Sequence, residues 1–190
     1  MLMDRIMGAL TFKREVYAEV EHDESFTSTA WGLVAVVAFL NQLGAYASSE
    51  GFTSWIISAL VGTGFSVLGF AVGAFAIAWV GKTLFQAEVT FEEVVRAVGL
   101  AYVWNILGVF GIVAAFVPLL VCILSPALIL GWVLGIYSWF IATKEALDLE
   151  SGQTIITVVI GFIAVFIVSG LAGAVLGLLG LGATTIGGAL

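Results

Sequence analysis

The sequence predicts an all-α membrane protein: a five-transmembrane-helix bundle preceded by an N-terminal amphipathic interfacial helix. Three observations point there. Of the 190 residues, 62% are apolar and 10% charged, with a mean hydropathy of +1.18. A soluble domain averages roughly 45–50% apolar and about 25% charged residues. The charges are also unevenly spread, with no Asp, Glu, Lys or Arg at 97–143 or at 151–190. A soluble surface needs charges over such stretches, whereas lipid needs none. Finally, the basic residues fall on one side of the spans that the hydropathy defines.

The spans follow from length. A hydrocarbon core of about 30 Å needs around 20 apolar residues per helix. The first run is 28–46, with Ser25, Thr27 or Ser28 as the N-cap. Ser48, Ser49, Glu50 and Gly51 then make a polar turn. The second run, 55–80, is glycine-rich and closes at Lys82. In the loop that follows, Thr90 and Glu93 have the spacing of a capping box, which starts a helix at Phe91. The charge-free stretch 97–143 would extend about 70 Å as one helix, so it must fold back. Pro118 is the best breaker, because the residue before proline disfavours helix. The third and fourth spans are therefore about 97–116 and 119–143, joined by a tight turn. A polar connector with Lys144, Glu145, Asp148 and Glu150 leads to the fifth run, 154–179. The expected organisation is an amphipathic cytoplasmic segment at 1–27, a membrane domain at 28–181 and a glycine-rich tail at 182–190.

Charge sets the orientation. Under the five-span reading Arg5, Lys13, Arg14, Lys82, Arg96 and Lys144 all lie on the N-terminal side. Cytoplasmic loops carry the excess of Lys and Arg, so the N-terminus is expected inside a cell (inner) membrane and the C-terminus outside. Residues 1–24 have no uninterrupted apolar core, so no cleavable signal peptide is expected. The net charge of −7 argues against nucleic-acid binding, which demands clustered cations. Cys122 is the only cysteine, which rules out an internal disulfide or a multi-cysteine metal site.

Few residues carry chemistry. His22 is the sole histidine and sits in the polar N-terminal segment, so an imidazole-ligated pigment in the bilayer has no support. Glu19, Glu21, Asp23 and Glu24 follow no calcium-loop spacing and read as a solvated charge run. No metal, no cofactor and no nucleophile–base pair is expected, hence no enzyme. Small residues at four-residue spacing are the recurrent motif: Gly69 with Gly73, Gly131 with Gly135, and Gly173 with Gly177. Such pairs flatten a helix face for close backbone approach, within the bundle or to a partner. Asn105, in mid-span, is expected to make a cross-helix hydrogen bond. Trp31, Trp55, Trp79 and Trp139 sit near predicted span ends, where indoles suit the headgroup boundary. Trp104 and Trp132 read as packing residues. Leu2, Met3, Ile6, Leu10, Tyr17 and Val20 recur at helical intervals and form an apolar face suited to the membrane surface.

Three blocks carry a family resemblance: GALTFKREVYAEVEHDESFTSTAWG, LFQAEVTFEEVVRAVGLAYVWNIL and GWVLGIYSWFIATKEAL. In this order they resemble the Yip1-domain family, and the Thr-Phe-Glu-Glu entry at 90–93 is the most specific part. The resemblance implies a five-helix bundle with a cytoplasmic N-terminus and brings no catalytic residue. Its eukaryotic members, linked to vesicle trafficking and small GTPases, have a longer N-terminal region than the roughly 27 residues here, so that role is not carried over. The compact chain is similar to prokaryotic members. Where the family often has a proline after the block reading GLAY, this chain has Val103 and Trp104.

The function expected is that of a scaffold or accessory subunit, acting on other membrane subunits or on itself through helix packing. The alternative is a small transporter or permeation subunit. Transport would call for buried acids or a polar stripe across several helices, and the spans show neither.

Overall fold

In a computed structural model the described residues are 1–47 and 51–180. The polar turn at 48–50 and the glycine-rich tail at 182–190 lie outside them. The chain forms α1 (Leu2–Leu10), α2 (Arg14–His22), α3 (Phe26–Ala45) and α4 (Phe52–Phe85). There follow α5 (Phe91–Ala101), a 3-10 stretch (Tyr102–Phe110) and α6 (Gly111–Phe116). A 3-10 turn (Pro118–Leu120) leads into α7 (Val121–Leu147) and α8 (Ser151–Leu178). Five segments are long and apolar enough to cross a bilayer: Phe26–Ala45, Phe52–Phe85, Phe91–Phe116, Val121–Leu147 and Ser151–Leu178.

Local chemistry sets the boundaries. Glu93 N donates to Thr90 Oγ1 at 3.2 Å, and the Glu93 carboxylate accepts from Thr90 N at 2.5 Å. This capping box starts α5 with two orphan donors satisfied. Before Pro118 the backbone leaves the helix at Val117 (φ −131°, ψ 80°), and the chain turns back into α7. The third and fourth spans are thus neighbours, with α7 against α5 and the 3-10 stretch. Pro126 does not break the chain again, because α7 runs through it. At 34 residues α4 is about 51 Å long, well beyond the hydrocarbon core. It pairs most extensively with α8.

The core centres on Phe70, whose ring meets Trp31 and Tyr102 at 5.5 Å and Trp139 at 6.2 Å. Trp139 also stacks on Phe162 at 4.9 Å and is 4% exposed. It is a core residue rather than a boundary anchor. Trp132, expected inside, is 56% exposed. The two sit seven residues apart on α7, and only the neighbours decide which one faces inward.

The N-terminal segment is two helices rather than one. Phe12 breaks them with a left-handed φ of 57°, a conformation costly for a bulky residue. Its ring stacks on Trp104 at 5.3 Å and meets Tyr137 edge-on at 5.1 Å, which compensates the strain. Beyond the break, α2 turns its apolar face onto α5 and α7, burying Tyr17 and Val20 completely. Met3 and Met7 on α1 stay exposed. The amphipathic pattern therefore serves two purposes: α2 packs on protein, and α1 keeps an open apolar face.

Candidate functional site

The ends of α2, α4, α5 and α7 meet at one end of the bundle, which forms a charged cap. Arg96, 4% exposed, holds α2 there. Its Nε donates to the Glu21 backbone carbonyl at 2.7 Å, Nη2 donates to the same oxygen, and Nη1 donates to Thr27 Oγ1 at 3.1 Å. Tyr17 Oη lies 2.7 Å from Ser138 Oγ and donates to the Ala9 carbonyl at 3.3 Å. Burial pushes the Tyr17 phenol up to about 12, with the Ser138 contact opposing, so it stays a neutral donor at any physiological pH. Arg5 pairs with Glu19 at 2.7 Å and Asp23 at 2.8 Å, and its guanidinium lies 5.0 Å over the Phe26 ring. The Ser25 hydroxyl and Arg5 hold the Asp23 carboxyl below its usual range.

The acidic run is solvated as expected except at Glu21. Glu19 and Asp23 bind Arg5, and Glu24 is exposed. Glu21 is only 9% exposed. Its carboxyl is pushed up to about 7, first by burial and then by Asp148 and Glu93; Arg96 opposes and Glu145 adds to the rise. Among the described residues no group of His, Cys, Asp and Glu is placed to hold a metal ion.

The glycine pairs have different surroundings. On α4, a methyl added at Gly73 would come 2.6 Å from Val165 and 3.3 Å from the Gly161 carbonyl, and one at Gly69 would sit 3.6 Å from Val168. This pair faces α8. On α7, Gly131 is covered by the Leu107 side chain, and a methyl at Gly135 would lie 3.4 Å from Trp104 Cβ. That pair faces the 3-10 stretch. At Gly173 and Gly177 an added methyl meets nothing within 4 Å. Ala172 and Leu176 point inward, so this pair lies on the outer face of α8.

The tightest approach involves glycines that the four-residue rule misses. A methyl on Gly44 of α3 would overlap the Gly108 carbonyl, and one on Gly111 would come 2.7 Å from the Gly44 carbonyl. Asn41 lies against Gly108 and donates through Nδ2 to the Asn105 carbonyl at 2.8 Å. Asn105 thus takes part in the cross-helix bond through its backbone, while its side chain donates to Tyr102 O at 3.3 Å in its own helix. In a 3-10 helix residues three apart eclipse one another, so Asn105, Gly108 and Gly111 share one face. Spacing by threes in 105–111 was the available signal. Nearby, Gln42 Nε2 donates to Ser66 Oγ at 2.6 Å and ties α3 to α4. A recess of about 130 Å³ beside Asn105 is lined by Tyr102, Trp132, Trp139, Phe162 and Phe166. Ligand pockets usually span roughly 300–1,000 Å³, so it is small for a substrate.

Comparison with protein families finds the Yip1 domain over residues 7–184, nearly the whole chain. The chain belongs to the Yip1-domain family. The match takes in α2 and the end of α1 as well as all five candidate spans. Comparison with curated proteins and with solved structures gives no match. As a Yip1-domain protein with five apolar helices, it is a multi-pass membrane protein.

Proposed function

We propose that this Yip1-domain protein is a non-enzymatic scaffold or accessory subunit of a larger membrane assembly, engaging another subunit or a second copy through the outer face of α8. The observation that carries this reading is the unequal use of the glycine pairs. Two pairs are filled by neighbours in the same chain, whereas a methyl added at Gly173 or Gly177 meets nothing within 4 Å among the described residues. In lipid, helices associate through close backbone approach and interhelical hydrogen bonds rather than by escaping water. An unfilled small-residue face is therefore surface that another helix can use. The N-terminus is placed in the cytoplasm and the C-terminus outside a cell (inner) membrane, on the strength of the six basic residues at one end.

The test is Gly173→Leu and Gly177→Leu, each purified from native membranes in mild detergent. Both should insert and fold, yet lose copurifying subunits or shift to a smaller size on gel filtration. Retention of the same partners and elution volume by both variants would refute this reading and favour the transport one. Orientation is checked with single cysteines at Ser49 and Gly152 in a Cys122→Ser background. An impermeant thiol reagent on sealed cells should label the first and spare the second.

A further inference from the structure

The cap contains a buried acid that its own hydrogen bonds leave unused. Glu21 lends its backbone carbonyl to Arg96, but its carboxyl receives no hydrogen bond from any described residue and is 9% exposed. The charged groups around it come from each element against which α2 rests. From α5 come Glu93 and Arg96, and from the end of α7 come Glu145 and Asp148. The charged side chains of α1 are Asp4, beside the N-terminal amine at 3.2 Å, and Arg5, taken up by Glu19 and Asp23. Arg14, also on α2, approaches Glu145 at 3.9 Å. Glu21 therefore faces three carboxylates, while the Arg96 guanidinium is already engaged with a carbonyl and a hydroxyl and Arg14 is turned to Glu145.

A buried carboxylate in such company is resolved by a cation or by a proton. No described group is placed to bind a metal. A proton needs no room. We propose that Glu21 is the proton switch of a latch: protonated, it lets α2 stay docked on α5 and α7, and ionised, it favours release of α2 from the bundle end, first because the charge regains water and then by repulsion from Asp148, Glu93 and Glu145. Release would carry away the other contacts that hold the strap, Tyr17 on Ser138 and Phe12 on Trp104. It would uncover the ends of α5 and α7.

The direction follows from linkage. The docked carboxyl titrates at about 7, against an ordinary 4.5 when released. A raised value means that the docked state holds the proton more tightly. Its contribution is complete below about pH 4.5, falls by up to roughly tenfold per pH unit, and is gone above about 7. Acidification docks the strap, and neutral to alkaline pH frees it.

Hydrogen exchange of the intact protein in lipid nanodiscs reads even rare opening. Protection of the 14–22 amides, corrected for the intrinsic pH dependence, should fall by roughly two orders of magnitude between pH 4.5 and 7.5, while α8 stays level. Glu21→Gln should hold that protection at its low-pH level throughout, and His22→Asn, altering the exposed neighbour, should leave the fall in place. Asp148→Asn removes one repelling charge without touching α2 and should shrink the fall. A level wild-type profile overturns the proposal, whether or not Glu21→Gln folds, and so does an unchanged fall in a folded Glu21→Gln protein.

Discussion

The charged cap and the distal half of α8 are built on opposite terms. In the cap directed polar contacts join the elements: Arg96 to Glu21 O and Thr27, Tyr17 to Ser138 and Ala9, Arg5 to Glu19 and Asp23. On the outer face of α8, Gly170, Gly173 and Gly177 recur at three and four residues with no described residue within 4 Å of a methyl added there, and Leu171 and Leu178 are exposed. The difference shows where an apolar chain obtains specificity. Lipid offers no reward for burying one leucine against another, so fixed geometry comes from hydrogen bonds and from backbones close enough to touch. The cap has the first, the α3 and α4 crossings have the second, and the distal outer face of α8 has neither from the described residues.

This contrast can be broken from either end. The largest effect is expected at Gly44→Ala, because the added methyl meets the Gly108 carbonyl, and backbone has no rotamer by which to yield. Overpacking of this kind costs about 3 kcal/mol or more and should appear as lost folded yield and a lower unfolding midpoint in detergent. Next comes Arg96→Met, which keeps bulk near the site but strands the Glu21 carbonyl and removes a buried cation from among four carboxylates. A loss of about 2–4 kcal/mol is expected by the same measurement. Tyr17→Phe deletes one hydroxyl and leaves Ser138 without that partner, for about 1–2 kcal/mol. At the opposite extreme, Gly173→Leu should leave monomer stability within about 0.5 kcal/mol of the parent, as for a surface change. A large loss there would mean that the outer face of α8 is occupied from within and that the contrast is false.

Much of the fold was legible because hydropathy acts locally. The charge-free stretches, the capping box at Thr90 and Glu93, and the fold-back at Pro118 each depend on a few adjacent residues. The candidate site was less so. The four-residue rule picked out Gly69, Gly73, Gly131, Gly135, Gly173 and Gly177 without separating those that face inward from the pair that faces out. It passed over Gly44, which has no glycine four residues away, and Gly108 and Gly111, which are three apart where 102–110 winds as 3-10 with a period of three. Glu21 was hidden for a different reason. Among Glu19, Asp23 and Glu24 it looks like one more solvated acid, and only the docking of α2 buries it.

By itself, then, the sequence determined that the chain is a five-helix membrane protein, with a helix starting at Phe91 and a turn before Pro118. Those are properties of composition along a line, and a bilayer reads them segment by segment. The tertiary structure decided which tryptophan became core, which glycines became contacts and which acid became buried. Each of those outcomes depends on a neighbour far along the chain: Phe70 for Trp139, Gly108 for Gly44, and Arg96 for the carbonyl of Glu21. No local pattern contains the partner, so only the folded chain can assign it.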